Sequence, residues 1–246
     1  MKKLLIIFLI LFEFNSFAGP PYDTDDPEPV SFQHWEVYLS SHFASDVNQW
    51  YGTAPHIEVN YGVIPNVQLH VIAPMAYVAV KNGNSQYGYG DTELGAKIRI
   101  IKESKWCPEI GIFPLLELPS GNPERGLGNG KTQVYLPIWL QKSFGKWTTY
   151  GGAGYWINPG EGNRNWQFYG GLVQYQLLEK MSLGTELYHS TSSEVNGKGE
   201  TRFNMGTVID LNKSSHILLS AGSSINGSTR FQCYIGYQLT FGRNPA

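Results

Sequence analysis

Phe231-Gln232-Cys233-Tyr234-Ile235-Gly236-Tyr237-Gln238-Leu239-Thr240-Phe241, close to the end of the chain, puts an apolar residue at every odd position. A period of two is the mark of a strand, because successive side chains point to opposite faces of the pleat. Eleven residues also match the ~9–11 that a tilted strand needs to cross a bilayer. The same period recurs upstream. Trp35, Val37, Leu39, Ser41 and Phe43 alternate with His34, Glu36, Tyr38, Ser40 and His42. Ile57, Val59 and Tyr61 alternate with His56, Glu58 and Asn60, and Val67, Leu69, Val71, Ala73, Met75 and Tyr77 share one face. Leu94, Ala96, Ile98 and Ile100 oppose Asp91, Glu93, Lys97 and Arg99. Further runs cover about 108–118, 131–144, 147–157, 165–177, 181–189, 201–210, 216–224 and 229–241. That makes twelve strands, with the faces of 147–157 and 165–177 left ambiguous by their glycines and aromatics. No helical period follows the first eighteen residues.

The connections alternate in length. Short ones fall near Gly62–Asn66, Gly145–Lys146, Leu178–Lys180 and Leu211–Ser215; longer ones fall near Ser45–Thr53, Val80–Gly90, Pro119–Gly130, Asn158–Arg164 and Ser190–Glu200. Lys102–Trp106 and Ile225–Ser228 break the trend. A soluble sandwich has no reason for this asymmetry, whereas outer-membrane barrels pair short periplasmic turns with long outer loops. Both termini then fall on the periplasmic side. Aromatics cluster near strand ends, with Trp35, Tyr61, Trp106, Phe144, Trp147 and Phe241 at one rim and Phe43, Tyr77 and Trp166 at the other, as interfacial girdles require. The expectation is an all-β, closed, antiparallel transmembrane barrel of about twelve strands. Mean hydropathy of −0.25 is too polar for a helical membrane bundle but suits a barrel, in which only alternate residues meet lipid.

The first residues carry the compartment. Lys2 and Lys3 precede an apolar run from Leu4 to Phe12, and Ser16-Phe17-Ala18 offers a small-x-small cleavage site. The reading is therefore a signal peptide over 1–18, an irregular Pro-rich periplasmic arm over 19–31 and a barrel over 32–246. The arm holds Pro20, Pro21, Pro27 and Pro29 with Asp23, Asp25, Asp26 and Glu28, a composition that builds neither strand nor helix. It is a candidate plug or partner contact, or a disordered tether. A net charge of −2 leaves no basic footprint for nucleic acid. Cys107 and Cys233 fall near opposite rims, beyond disulfide reach.

A charge near the midplane is expensive against lipid, so the charged face should enclose the lumen. Asp91, Glu93, Lys97 and Arg99 share that face with Glu109 and Glu117 next door. With acids and bases nearly balanced there, they read either as a permeation constriction or as a structural salt-bridge network. Glu36 belongs to the same inward set nearer the other rim. Pairing of the first two strands brings His42 near His56, with Glu58 two residues on; such a set could hold a divalent metal, although solvated lumen histidines are commoner. The reading includes no metal and no cofactor. Tyr38, Phe113, Tyr135 and Trp139, with Trp156, are inward aromatics that could stack against a ring or simply fill space. Pro74, Pro114 and Pro137 lie inside strands, where each removes a ladder donor and calls for a bulge or kink. His189 and Ser192 are the only pair that tempts a lipid-hydrolase reading; adjacent His189 and Ser190 point to opposite faces.

The arm and first strand, GPPYDTDDPEPVSFQHWEVYL, resemble an outer-membrane family named for the meta-cleavage pathway of phenol degradation. The resemblance runs through TAPHIEVNYGVIPNVQLHVIAP, YGYGDTELGAKIRI and the segment from Pro108 to Gly160, and so covers most of the chain. Its most distinctive pieces are the TDDPEPV arm, Gly90-Asp91-Thr92-Glu93, and the Pro-Ser-Gly loop with Gly126-Leu127-Gly128. It implies a Gram-negative outer-membrane barrel, porin-like, that passes or binds small, often apolar or aromatic compounds; the residues themselves give the expectation of no enzyme activity. The last strand, Tyr234-x-Gly236-x-x-Leu239-x-Phe241, also resembles the signal read by the barrel assembly machinery, although Gly242 to Ala246 follow it. The expected partners are outer-membrane lipid, that machinery and a small solute, with the protein a monomer. The alternatives are a closed structural or adhesive barrel and, second, an outer-membrane lipid hydrolase.

Overall fold

The computed structural model describes residues 20–242; the expected signal peptide over 1–18 and the tail after Gly242 lie outside them. The described chain forms β1 (His34–Ser45), β2 (Gln49–Ile64), β3 (Val67–Val80), β4 (Ser85–Tyr89), β5 (Thr92–Ile101), β6 (Glu109–Ile112) and β7 (Leu115–Leu118). After a short 3-10 turn (Pro123–Arg125) come β8 (Gln133–Phe144), β9 (Trp147–Ile157), β10 (Trp166–Leu178), β11 (Met181–Ser190), β12 (Glu200–Asn212), β13 (Ser215–Asn226) and β14 (Phe231–Gly242). Every pairing is antiparallel, and β1 closes on β14 from His34↔Gly242 to Ser45↔Phe231. β4 and β5 both pair with β3, and β6 and β7 both lie between β5 and β8. The fourteen segments therefore make a closed barrel of twelve antiparallel staves. Closure leaves no edge in the barrel wall, where a bilayer would not tolerate one; β4, paired only with β3, extends beyond that wall.

The outward face is apolar around the ring. Leu39, Leu69, Leu136, Leu187 and Ile235 are about half exposed, while their neighbours Tyr38, Gln68, Tyr135, Tyr188 and Tyr234 are buried. No helix among the described residues is long and apolar enough to cross a membrane. Trp35 stacks on Tyr61 at 4.3 Å and pairs with Phe241, and Trp147 meets Tyr175 at 4.6 Å. These form the girdle of the rim that holds both chain ends, called here the terminal rim. Phe43 and Tyr77 meet at 5.9 Å near the opposite rim. Trp166 does not join them. It stacks on Trp156 at 5.4 Å and packs on the lumen's aromatic cluster, because the register Trp156↔Trp166 and Tyr135↔Trp156 puts all three on the inner face.

Two expected loops are mostly ladder. Only 46–48 separate β1 from β2, and β4 turns much of Val80–Gly90 into a hairpin arm beyond the barrel. The expected strand over 108–118 is broken. Pro114 follows Phe113 at the gap between β6 and β7, and Pro137 lies on β8 opposite that gap. Two missing N–H donors on neighbouring staves account for the interruption. Pro74 sits at the matching discontinuity, where β3 changes partner from β5 to β4. Cys107 and Cys233 are free thiols near opposite rims.

Residues 20–31 contain neither strand nor helix and cross the interior. The segment leaves β1 beside Gly62 of β2, passes β3, β5 and β6, and reaches β10 to β13. Thr24, Asp26 and Pro27 are almost fully buried. The wall accommodates this path with small residues. Gly184 and Gly206 are cross-strand partners on β11 and β12, and a Cβ at Gly206 would lie 2.8 Å from Tyr22 Cε1.

Candidate functional site: the barrel lumen

Alternation delivers one wall of rings and one wall of acids and imidazoles. On β6 to β11, Phe113, Leu115, Tyr135, Trp139, Phe168 and Tyr188 form a single buried cluster, extended by Trp156 and Trp166. Tyr135 stacks on Trp156 at 4.6 Å, and Phe168 on Tyr188 at 5.4 Å. The aromatic wall thus runs from one mouth to the arm. On β1 to β5, His42 and His56 lie 4.9 Å apart, as the pairing of the first two strands predicts. Glu58 lies further along; Asn60 Nδ2 donates to it at 2.7 Å. His70 bridges this wall, with Nε2 2.9 Å from Glu93 and Nδ1 2.7 Å from Asn60. Glu93 sits directly opposite Glu117 on β7. No group of three potential ligands among the described residues is arranged to hold a metal.

The arm divides the interior. Its amides at Asp23 and Thr24 donate to Glu186 of β11, and Asn204 Nδ2 donates to both Asp23 (3.0 Å) and Glu186 (2.8 Å). Lys97 Nζ is buried between Asp25 Oδ1 (2.9 Å) and Asp26 Oδ2 (3.5 Å). Arg99 reaches Glu28 at 3.7 Å and Glu109 at 3.4 Å. Val30 N donates to Gln68 at 2.9 Å. Burial pushes the Asp26 carboxyl well up, against the pull of Lys97, and raises Glu28 as well. On the terminal side of the arm lies a cavity of about 310 Å³ lined by Asp25, Glu28, Glu36, Tyr38, Glu58 and Lys97 among others. Glu36 accepts from the Tyr38 hydroxyl at 2.9 Å.

A second cavity, about 410 Å³, lies between the His/Glu wall and the loop after β7, with His56, Glu93 and Glu117 facing Leu127. Asp91 holds that loop. Gly121 N donates to its Oδ1 at 2.8 Å, and Asn129 N to its Oδ2. A side chain at Gly128 would collide with the Asp91 carboxylate, so the Gly90-Asp91 corner and the Gly126-Leu127-Gly128 loop form one interlocked unit. Asp91 is therefore a loop anchor.

The fourteen residues singled out in the sequence all fall on the inner face or at its mouth, but in distinct groups. Tyr38 and Glu36 belong to the terminal cavity with Glu58 and Lys97; His42, His56, Asp91, Glu93 and Glu117 belong to the other half; Phe113, Tyr135 and Trp139 belong to the aromatic wall; Arg99 and Glu109 pin the arm. Sequence reasoning missed His70, Glu186, Asn204, Gln232, Phe168 and Tyr188. Their signal was polar or bulky residues inside otherwise apolar alternation, as in Ser182-x-Gly184-x-Glu186-x-Tyr188. The near balance of charge does not hold either. On these strands Asp91, Glu93, Glu109 and Glu117 already outnumber Lys97 and Arg99, and the arm adds four more carboxylates to the interior. His189 Nδ1 lies 2.9 Å from Thr201 Oγ1, and Ser192 Oγ donates to Glu194 O at 2.8 Å. No hydrogen bond joins His189 to Ser192, which the hydrolase alternative would need.

No protein-family model and no curated protein matches the sequence. Solved structures share the fold. An outer membrane channel from Pseudomonas putida F1 superposes with a TM-score of 0.73 at 17% identity, covering 89% of this chain and 100% of that one. The KdgM porin in complex with disordered oligogalacturonate gives 0.59 at 11% identity, covering 84% and 99%. The translocator domain of the autotransporter NalP from Neisseria meningitidis gives 0.56 at 10%, covering 87% and 90%. At these identities the likeness establishes a shared barrel architecture.

Proposed function

We propose that this chain is an outer-membrane channel for the passive passage of small solutes with an apolar or aromatic body. One observation carries the reading: the interior of an apolar-walled barrel is not filled by its own side chains. Cavities of about 310 and 410 Å³ flank the arm, and Phe113, which lines the first, joins it to the buried aromatic cluster. Twelve strands lie between small filled barrels and wide porins, so a narrow, ring-lined path suits small flat molecules. The likeness to an outer membrane channel and the resemblance to the family named for phenol meta-cleavage support it. In this reading both termini face the periplasm, the arm narrows the lumen as a plug, and the protein acts as a monomer. The closing β14 strand serves as the handle for barrel assembly. The inner groups described above, from Glu36 and Tyr38 to Trp139, line the route.

The hydrogen bonds along the arm favour a second reading, a closed structural barrel. Purified protein in planar lipid bilayers separates the two. A channel gives reproducible unitary currents and a closed barrel gives none. Liposomes loaded with the protein should also take up phenol-sized neutral molecules faster than empty ones.

A further inference from the structure

The distribution of charge inside the barrel goes beyond what the fold requires. Among the described residues three Lys or Arg side chains project inward from the strands, and each is already covered by carboxylate: Lys97 by Asp25 and Asp26, Arg99 by Glu28 and Glu109, Arg202 by Glu200. Six further carboxylates remain. Asp23, Glu36, Glu117 and Glu186 have no ion-pair partner among the described residues, and Glu58 and Glu93 share only His70. They are not gathered in one surface cluster. They lie on both sides of the arm, from Glu36 and Glu58 in the terminal cavity, through Asp23 and Glu186 at mid-barrel, to Glu93 and Glu117 in the opposite cavity. The other described lysines and arginines sit in turns, loops or strand ends, as Lys102, Lys146 and Lys180 do. Lys213, at the terminal rim, is the only one of these lining the terminal cavity.

A narrow passage with low-dielectric walls focuses the field of fixed charges, and carboxylates of one sign along it concentrate counter-ions. A second, independent feature stands opposite. The rings of Tyr38 and Phe113, which line the terminal cavity, offer faces on which an organic cation is attracted by the ring quadrupole. Lys97 already uses one of them, with its ammonium 5.1 Å from the Phe113 centroid. We infer that the lumen selects for positive charge and that its preferred solutes are small organic cations, an ammonium attached to an apolar or aromatic body. This rests on the channel reading and narrows it.

The test is a reversal-potential measurement on the full protein in a planar bilayer under a tenfold KCl gradient, at low total salt so that screening is weak. The expected result is K⁺ favoured over Cl⁻ by roughly tenfold or more, at the low end of what focused fields achieve. Benzylammonium added to one side should reduce the K⁺ current, and benzoate at the same concentration should not. Glu36→Gln/Glu93→Gln/Glu117→Gln should bring the ratio towards one, while Glu161→Gln in an exposed loop should leave it unchanged. A wild-type ratio near one, a preference for Cl⁻, or equal block by benzoate overturns the inference even if the variant does not fold. Absence of any current overturns the channel reading beneath it instead.

Discussion

Replacing Lys97 with methionine is the sharpest perturbation of the arm. The ammonium is 5% exposed as a residue and lies between two arm carboxylates, Asp25 at 2.9 Å and Asp26 at 3.5 Å. Methionine keeps an unbranched side chain one atom shorter, but removes the ammonium that lies over Phe113 and leaves both carboxylates without their cation. Removing one partner of a buried pair typically costs about 3–5 kcal/mol, because the remaining charge stays desolvated. Here that cost is relieved if the arm leaves its track and hydrates Asp25 and Asp26. At 1.4 kcal/mol per decade, even the lower figure shifts the docking equilibrium of the arm roughly a hundredfold. Thr24 reports it, being fully buried when docked. In a Cys107→Ser/Cys233→Ser background, Thr24→Cys should resist a water-soluble maleimide in the parent and react far faster with Lys97→Met present. Adding Asp25→Asn and Asp26→Asn removes the stranded charges and should restore protection. If Lys97→Met leaves labelling unchanged, or the added amides fail to restore protection, the arm is not held by this pair and the reasoning is wrong.

Three further outcomes follow from the same structure. Gly184→Ala drives a methyl against the Tyr22 ring and hydroxyl, 2.9 Å from Cζ, with no backbone atom among its nearest neighbours, so overpacking of about 1–3 kcal/mol should loosen the arm; Tyr22→Ala should cancel most of it in the same labelling assay. Asp26 and Glu28 have carboxyls raised by burial when docked, so the docked arm binds protons more tightly than the free one. Docking should therefore be strongest below the ordinary carboxylate range and weaken as pH rises through the raised values, seen as lower unitary conductance at pH 5 than at pH 8. On β8, Ile138→Arg faces lipid and should cost about 2–4 kcal/mol in urea unfolding from lipid, whereas Gln141→Arg, opposite Glu109 inside the lumen, should be nearly neutral.

The barrel itself was legible because its period of two is dictated by the difference between lipid and lumen, repeated on nearly every stave. Where that difference weakens, so does the reading. On β9 and β10 glycines occupy both faces, and only the register through Tyr135, Trp156 and Trp166 assigns the rings to the interior. The β6–β7 break was foreshadowed by Pro114, but its width depends on Pro137 of the neighbouring stave, a contact that no local pattern reveals. Of the lumen groups, the charged residues of β5 and the aromatics of β8 were readable from parity alone. The Lys97–Asp25 and Arg99–Glu28 pairs were not, because they join the wall to an aperiodic arm, and aperiodic sequence gives no direction to its side chains. The acidity of the lumen was hidden for the same reason: half of the docking contacts come from residues whose partners lie more than a hundred positions away, as Thr24 and Glu186 do.

The central claim, that apolar faces meet lipid while the alternate set encloses an aqueous, ring-lined lumen, is tested most directly by a nitroxide scan along Gln133–Gln141 of β8 in liposomes. Labels at 134, 136, 138 and 140 should be quenched by oxygen dissolved in the bilayer. Labels at 133, 135, 139 and 141 should respond to a water-soluble nickel chelate or to neither reagent. A scan without this two-residue alternation, or with nickel reaching the even positions, would contradict the account.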